Sequence, residues 1–190
     1  MINYSLPTTV IIDGEEYRIN KNGDYRVILD IISILNDSEL SQTDKCYCVL
    51  CVFFGYDKEK KAFIIPKNAN EAIKEIFKFI NCGEEENNVK PQPKLMDWEQ
   101  DFNLIIPPIN KVLGFEVRSV DYLHWWSFIG AYMEISGDCV FSQVKDIRQK
   151  RSKGIKLEKH EQRFFNDNKD LILLKNNLSK EDRSWLDEID

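Results

Sequence analysis

This sequence predicts a mainly α protein, a helical bundle with one small N-terminal β-hairpin. Two observations carry the prediction. Apolar residues recur at helical spacing in four separate windows. Against these stands one Asp-Gly dipeptide, Asp13-Gly14, between two β-prone runs at 8–12 and 15–19. Asp-Gly is a strong hairpin signal because both central residues must reach positive φ. At period two, Val10, Ile12, Tyr17 and Ile19 share a face. A lone hairpin is marginal in water, so it must pack on something, and the first helix is the nearest surface.

That helix is expected over 24–36, with Asp24 as N-cap and Val27, Ile28, Ile31, Ile34 and Leu35 as its apolar stripe. The segment 43–54 is nearly continuous in apolar residues, and periodicity does not separate a buried helix from a buried strand there. It is read as a helix that Gly55 stops. Phe63-Ile64-Ile65 is too short to classify. A clear amphipathic helix follows at 69–82, with Ala69, Ala72, Ile73, Ile76, Phe77 and Ile80 inward, and Gly83 ends it.

The stretch 83–94, GEEENNVKPQPK, reads as a flexible linker. It divides the chain into an N-terminal part, 1–82, and a C-terminal helical region, 95–190. In the latter, Asp97 with Gln100 forms a capping-box pattern, and Pro107-Pro108 should kink or break the helix before Gly114 closes it. Ser119 caps an aromatic-dense helix to about 134, and Asp138 caps the next, with Val140, Phe141, Val144 and Ile147 inward. A last long helix is expected over 157–178, where Leu157, Phe164, Leu171 and Leu178 recur every seventh residue. Ser179 and Asp182 then form a further capping signal before Trp185 and Leu186.

Composition narrows the function. With 190 residues and 43% apolar content the chain builds a real core, and its 31% charged residues argue against disorder throughout. A net charge of −6 is not the footprint of a general nucleic-acid binder. No apolar run approaches the roughly 20 residues that span a bilayer, and the first ten residues lack a signal-peptide pattern. The expected location is therefore a reducing cytoplasm, with no membrane partner. Five cysteines, an odd number in a reducing compartment, argue against disulfides. Cys46, Cys48 and Cys51 invite a zinc reading, yet their neighbours are apolar and neither His124 nor His160 sits at ligand spacing. The cluster is expected to be reduced, buried and metal-free.

Chemical motifs are sparse. His124, with Asp121 nearby, could be oriented for proton transfer, but a hydrogen-bonded histidine beside two packing tryptophans explains it better. Seven basic residues lie between Lys145 and Lys159 (Arg148, Lys150, Arg151, Lys153 and Lys156 among them). They complement a helix C-terminus as readily as a phosphate backbone, and no stacking aromatics interleave them. Asp97, Glu99 and Asp101 cluster at a helix start, as capping and the dipole require. No phosphate loop, nucleophile elbow or HExxH pattern occurs. No catalytic, cofactor-binding or metal-ligating residue is assigned, and a non-enzymatic protein is expected.

Several motifs resemble one family. They are Leu6-Pro7, Asp24-Tyr25-Arg26-Val27, Asp97-Trp98-Glu99-Gln100-Asp101, Ile105-Ile106-Pro107-Pro108-Ile109-Asn110 and Leu113-Gly114-Phe115-Glu116-Val117-Arg118. Tyr122-Leu123-His124-Trp125-Trp126-Ser127-Phe128 is the most specific, followed by Asp138-Cys139-Val140-Phe141-Ser142, Ile147-Arg148 and Lys153-Gly154-Ile155-Lys156-Leu157. Together they resemble the bacteriophage gene product fifteen family of tailed phages and prophages of Gram-positive hosts, from about residue 6 to 174. The resemblance implies a gene between those for the major tail protein and the tape measure protein. It also implies a tail assembly chaperone or adaptor that binds the tape measure protein. A structural virion component, such as a tail-completion or connector subunit, is the alternative. The major tail protein and a second copy of the chain are further partners it leaves open; nucleic acid is not among those expected. The candidate protein-binding residues are Trp98, Tyr122, Trp125, Trp126, Leu157, Phe164, Phe165 and Leu171, since aromatic anchors dominate interfaces.

Overall fold

The computed structural model describes residues 5–84 and 93–175. Most of the expected linker therefore lies outside the described residues, as do Leu178, Ser179, Asp182, Trp185 and Leu186. The fold is mainly α with a small N-terminal hairpin, as the sequence predicts. The chain forms two compact units, one of Met1–Val89 with Glu116–Met133, the other of Lys90–Phe115 with Glu134–Asp190. The division expected from the sequence placed the Leu-His-Trp-Trp motif in the C-terminal region. Instead it packs in the first unit, because its backbone and rings bond to segments near residues 24 and 80.

In the first unit, β1 (Thr9–Ile12) pairs antiparallel with β2 (Glu15–Arg18). Asp13 and Gly14 both have positive φ, as the tight turn demands. Val10, Ile12 and Ile19 are buried on the predicted face. The hairpin rests on α3 (Ala69–Ile80) rather than chiefly on the first helix. Its turn is fastened there: the Asp13 N–H donates to Glu71 Oε2 at 3.3 Å, and Asn68 Nδ2 donates to Asp13 Oδ1 at 3.1 Å. Along α3, Ala72, Ile76 and Phe79 are buried. Ala69, expected inward, is exposed at the helix start, and Phe79 takes an inward place because Phe53, His124 and Trp126 surround it.

Helix α1 (Tyr25–Asn36) is capped by Asp24, whose side chain accepts from the Arg26 N–H. It packs along α2 (Gln42–Phe54), which is a helix capped by Ser41 and closed at Gly55. Cys51 is buried in α2, but Cys46 and Cys48 are only half-buried, so the cysteine cluster is not wholly interior as expected. The short run at 63–65 belongs partly to a second hairpin, β3 (Tyr56–Asp57) with β4 (Ala62–Phe63), which no turn dipeptide announced.

In the second unit, α4 (Phe102–Leu113) runs through Pro107 and Pro108 without the expected break. Its Ile105, Ile106 and Ile109 are fully buried, and burial of about 1.5–3 kcal/mol per such side chain offsets the lost amide donors. Helix α6 (Val140–Ser152) is capped by Cys139 rather than Asp138, its Sγ accepting from the Ser142 N–H at 3.4 Å. Val140 is consequently at the helix edge and exposed, while Phe141, Val144 and Ile147 are buried as expected. The single long helix expected over 157–178 is two short ones, α7 (Lys159–Asp167) and α8 (Lys169–Ile172), broken at Asn168 with φ −135° and ψ 41°. Val144, Ile147, Phe165, Ile172 and Leu173 form the core of this unit, with Leu157, Phe164 and Leu171 packed on it.

Candidate functional site

Two of the family-like motifs, 99 residues apart in sequence, meet in the first unit. Asp24 is buried, and each of its oxygens is engaged. Oδ1 accepts from the Arg26 N–H at 3.0 Å, and Oδ2 accepts from the Leu123 N–H at 3.0 Å. The Tyr25 N–H donates to Leu123 O at 2.9 Å, so residues 123–124 run antiparallel beside residue 24 in a one-bridge ladder. Arg26 pairs with Asp24 at 3.1 Å and reaches across to Val120 O at 2.6 Å. Underneath, the rings of Tyr25 and Phe128 stack with centroids 4.4 Å apart and an interplanar angle of 9°.

This pairing delays the aromatic helix. Helix α5 spans Trp125–Met133, five residues later than a start capped by Ser119 would place it. Ser119 instead ends a 3-10 turn, with its Oγ donating to Glu116 O at 2.8 Å. The cap of α5 is His124: its carbonyl accepts from Ser127 and Phe128, and its Nδ1 accepts from the Trp126 N–H at 3.1 Å. Nε2 donates to Pro7 O at 2.9 Å. Asp121 does not orient this ring; its carbonyl accepts from Arg26 instead. Burial holds the His124 pKa below the ordinary histidine value.

The two tryptophans close the end of another helix. Trp125 Nε1 donates to Ile80 O at 2.9 Å, and Trp126 Nε1 donates to Phe79 O at 2.8 Å. These are consecutive carbonyls in the last turn of α3, which lack the usual partner four residues on, and Phe79 O also accepts from the Cys82 N–H at 3.1 Å. Divergence of neighbouring side chains on α5 lets one indole serve each carbonyl.

The second unit holds a comparable network. Arg148 and Asp101 are buried and form a two-bond fork, Nη1 to Oδ2 at 2.6 Å and Nη2 to Oδ1 at 2.9 Å. The remaining guanidinium donors reach Ile172 O at 2.7 Å, Leu171 O at 2.9 Å and Leu95 O at 3.0 Å. The break at Asn168 turns the two C-terminal carbonyls toward Arg148. Beside the fork, Gln100 grips the same strand-like end: Nε2 donates to Leu173 O at 2.7 Å and Oε1 accepts from the Lys175 N–H at 3.1 Å. Asp97 caps the turn before α4, accepting from the Glu99 and Gln100 N–H groups at 3.0 Å. Sequence reasoning assigned Asp101 to this same capping and missed that it carries a buried ion pair.

The candidate binding residues are therefore unequal. Trp125 and Phe165 are buried, so neither is available to a partner on the folded surface, although their aromatic rings make both candidates in the sequence. Tyr122 is 45% exposed, with its hydroxyl donating to Asn22 O at 3.0 Å. Trp98, Trp126, Leu157, Phe164 and Leu171 are half-buried, and the last three line the core of the second unit. The basic run is also largely engaged. Arg148 is in the fork, Lys150 pairs with Glu161 at 2.5 Å, and Arg151 lies over the Phe165 ring at 4.1 Å. Among the described residues no buried side-chain nitrogen or oxygen lacks a partner, and no cluster of three or more His, Cys, Asp or Glu could hold a metal ion. No helix among them is long and apolar enough to cross a membrane.

A mainly α protein of two units, each fastened by a buried polar network built from its motif residues, is the class that fold and site define. The family model for Bacteriophage Gp15 protein matches residues 2–174, and the chain belongs to that family. It is a phage protein. No curated protein and no solved structure matches the chain.

Proposed function

We propose that this phage protein is a non-enzymatic tail assembly chaperone or adaptor that acts in the host cytoplasm by binding the tape measure protein. The observation that carries the reading is how the motifs are used. Asp24, His124, Asp101 and Arg148 are the polar side chains most suited to chemistry, and each is committed to bonds inside its own unit. Family membership supplies the phage context. Exposed apolar side chains such as Tyr56, Phe63 and Ile65 supply surface suited to a protein partner.

Co-expression with the tape measure protein of the same phage tests this directly. The expected result is a higher soluble yield of the tape measure protein and a complex that survives gel filtration. Failure to co-purify at any expression ratio, with both proteins soluble, removes the reading. Mass spectrometry of purified virions separates an assembly factor, absent from the particle, from a tail-completion subunit that stays in it.

A further inference from the structure

We propose that the β3–β4 hairpin is a docking surface for an acidic, amphipathic helical segment of another protein. The inference deepens the adaptor reading and rests on it, the other protein then being the tape measure protein. Tyr56 and Phe63 face each other across the two strands, their rings edge-on with centroids 5.4 Å apart. They are nevertheless 52% and 49% exposed, and Ile65 beside them is 40% exposed. Contiguous apolar surface rimmed by charge marks an interaction site more often than chance exposure does. A two-stranded hairpin of this size is also marginal by itself, so a partner laid across its rings would add to its stability.

Charge identifies the occupant. Residues 56–67 carry four lysines, Lys58, Lys60, Lys61 and Lys67, against the two carboxylates of Asp57 and Glu59. That is +2 on twelve residues of a chain whose total is −6, so the rest of the protein carries −8. All four lysines are exposed. Lys61 adopts φ 52°, a left-handed conformation that favours glycine or asparagine. Glycine, which has no Cβ to crowd the following carbonyl, would adopt this conformation at less cost than lysine does. A helix with apolar residues at i, i+3 and i+4 flanked by Asp or Glu meets both the ring ridge and the lysine rim. Nucleic acid fits less well: two carboxylates interrupt the lysines, the rest of the chain repels a polyanion, and the two rings are turned edge-on to each other.

The test uses the full chain co-expressed with the tape measure protein. Two variants are compared with wild type, the triple reversal K58E/K60E/K61E and the ring pair Tyr56→Ser with Phe63→Ser. Thermal melts verify folding. Wild type should co-purify at about 0.1 M salt and weaken near 0.5 M, and each folded variant should retain about tenfold less complex. A photo-crosslinking residue at position 63 should capture a tape measure segment in which Asp and Glu outnumber Lys and Arg. That readout also decides the matter if a variant does not fold. Undiminished complex in both folded variants overturns the hairpin site while leaving the adaptor reading intact. Absence of any wild-type complex overturns both. Crosslinks to nucleic acid or to a second copy of this chain overturn the choice of occupant.

Discussion

The backbone N–H of Trp126 donates to His124 Nδ1 at 3.1 Å, and that bond fixes where the ring keeps its proton. With Nδ1 accepting, the proton sits on Nε2 and points at the carbonyl of Pro7. Both ring nitrogens are satisfied only in the neutral form. A second proton would set an N–H against the N–H of Trp126.

A pH dependence follows. The folded-state pKa of His124 is lowered by burial, so the unfolded chain takes up a proton first as pH falls. The contribution of His124 to stability is complete above its ordinary value of about 6.5 and is lost as pH falls from there through the folded-state pKa. Urea melts at steps between about pH 7.5 and 5.5 should show a falling midpoint. His124→Asn, which keeps an N-capping acceptor, should flatten that slope. Equal slopes in both proteins would show that another group is responsible.

Arg148 and Asp101 predict a large asymmetry. Arg148→Met strands a buried carboxylate and should cost about 3–5 kcal/mol. Arg148→Lys keeps the charge but not the fork, and should recover only part of that. Replacing both partners with apolar residues should cost much less than the sum of the single changes. Additive losses in a double-mutant cycle by urea denaturation would mean that the two residues are not coupled.

The adjacent tryptophans should respond differently. Trp125→Ala empties a fully enclosed site and should cost about 3–5 kcal/mol. Trp126→Phe keeps most of the ring but removes the donor to Phe79 O, a loss of about 0.5–1.5 kcal/mol. Matching melting temperatures for wild type and both variants would contradict the capping of α3 described above.

Gly23 is a further sensitive position. It has φ +77°, and a Cβ there would lie 2.7 Å from Phe79 Cζ and 3.1 Å from His124 Nε2. Gly23→Ala should cost more than about 1 kcal/mol through backbone strain and the push on both rings. Gly14→Ala is a control, since a Cβ at Gly14 meets nothing within 4 Å and only the backbone term remains. Equal losses at the two sites would show that the close approach to Phe79 is harmless.

Deletion of 157–190 bears on the core of the second unit. It removes Phe165, Ile172 and Leu173 from the core of the second unit, together with two carbonyls that Arg148 binds. The sequence places four candidate binding residues on this stretch, Leu157, Phe164, Phe165 and Leu171. The packing predicts that circular dichroism of the truncated chain falls by more than the deleted helices account for.

What could be read from the sequence was local. Asp13-Gly14 announces its hairpin because the turn geometry is held in two residues, and α1 and α3 announce themselves through apolar periodicity, α1 also through its cap Asp24. What escaped depends on distant partners. The start of α5 is set by the pairing of 123–124 with residues 24 and 25, and the break at Asn168 lies where Arg148 collects carbonyls. The family-like motifs were visible as rare strings, but their roles were not. Nothing near Asp24 in the sequence indicates that Leu123 will donate to it. The β3–β4 hairpin escaped for a different reason: its strands are two residues long, and its loop places a lysine at positive φ.

The interleaved order of the two units bears on synthesis. The first unit needs α5, yet α4 and its neighbours are translated before α5. On the ribosome, α1, α2 and α3 emerge with the stacking face of Tyr25 and the carbonyl end of α3 unmet until residue 133 has appeared. At about 5–20 residues per second, the roughly 50 residues after α3 take some 2–10 seconds to make. During that interval the nascent chain presents apolar surface it will later bury, so slowing translation over 84–133 should raise the fraction of newly made protein that aggregates.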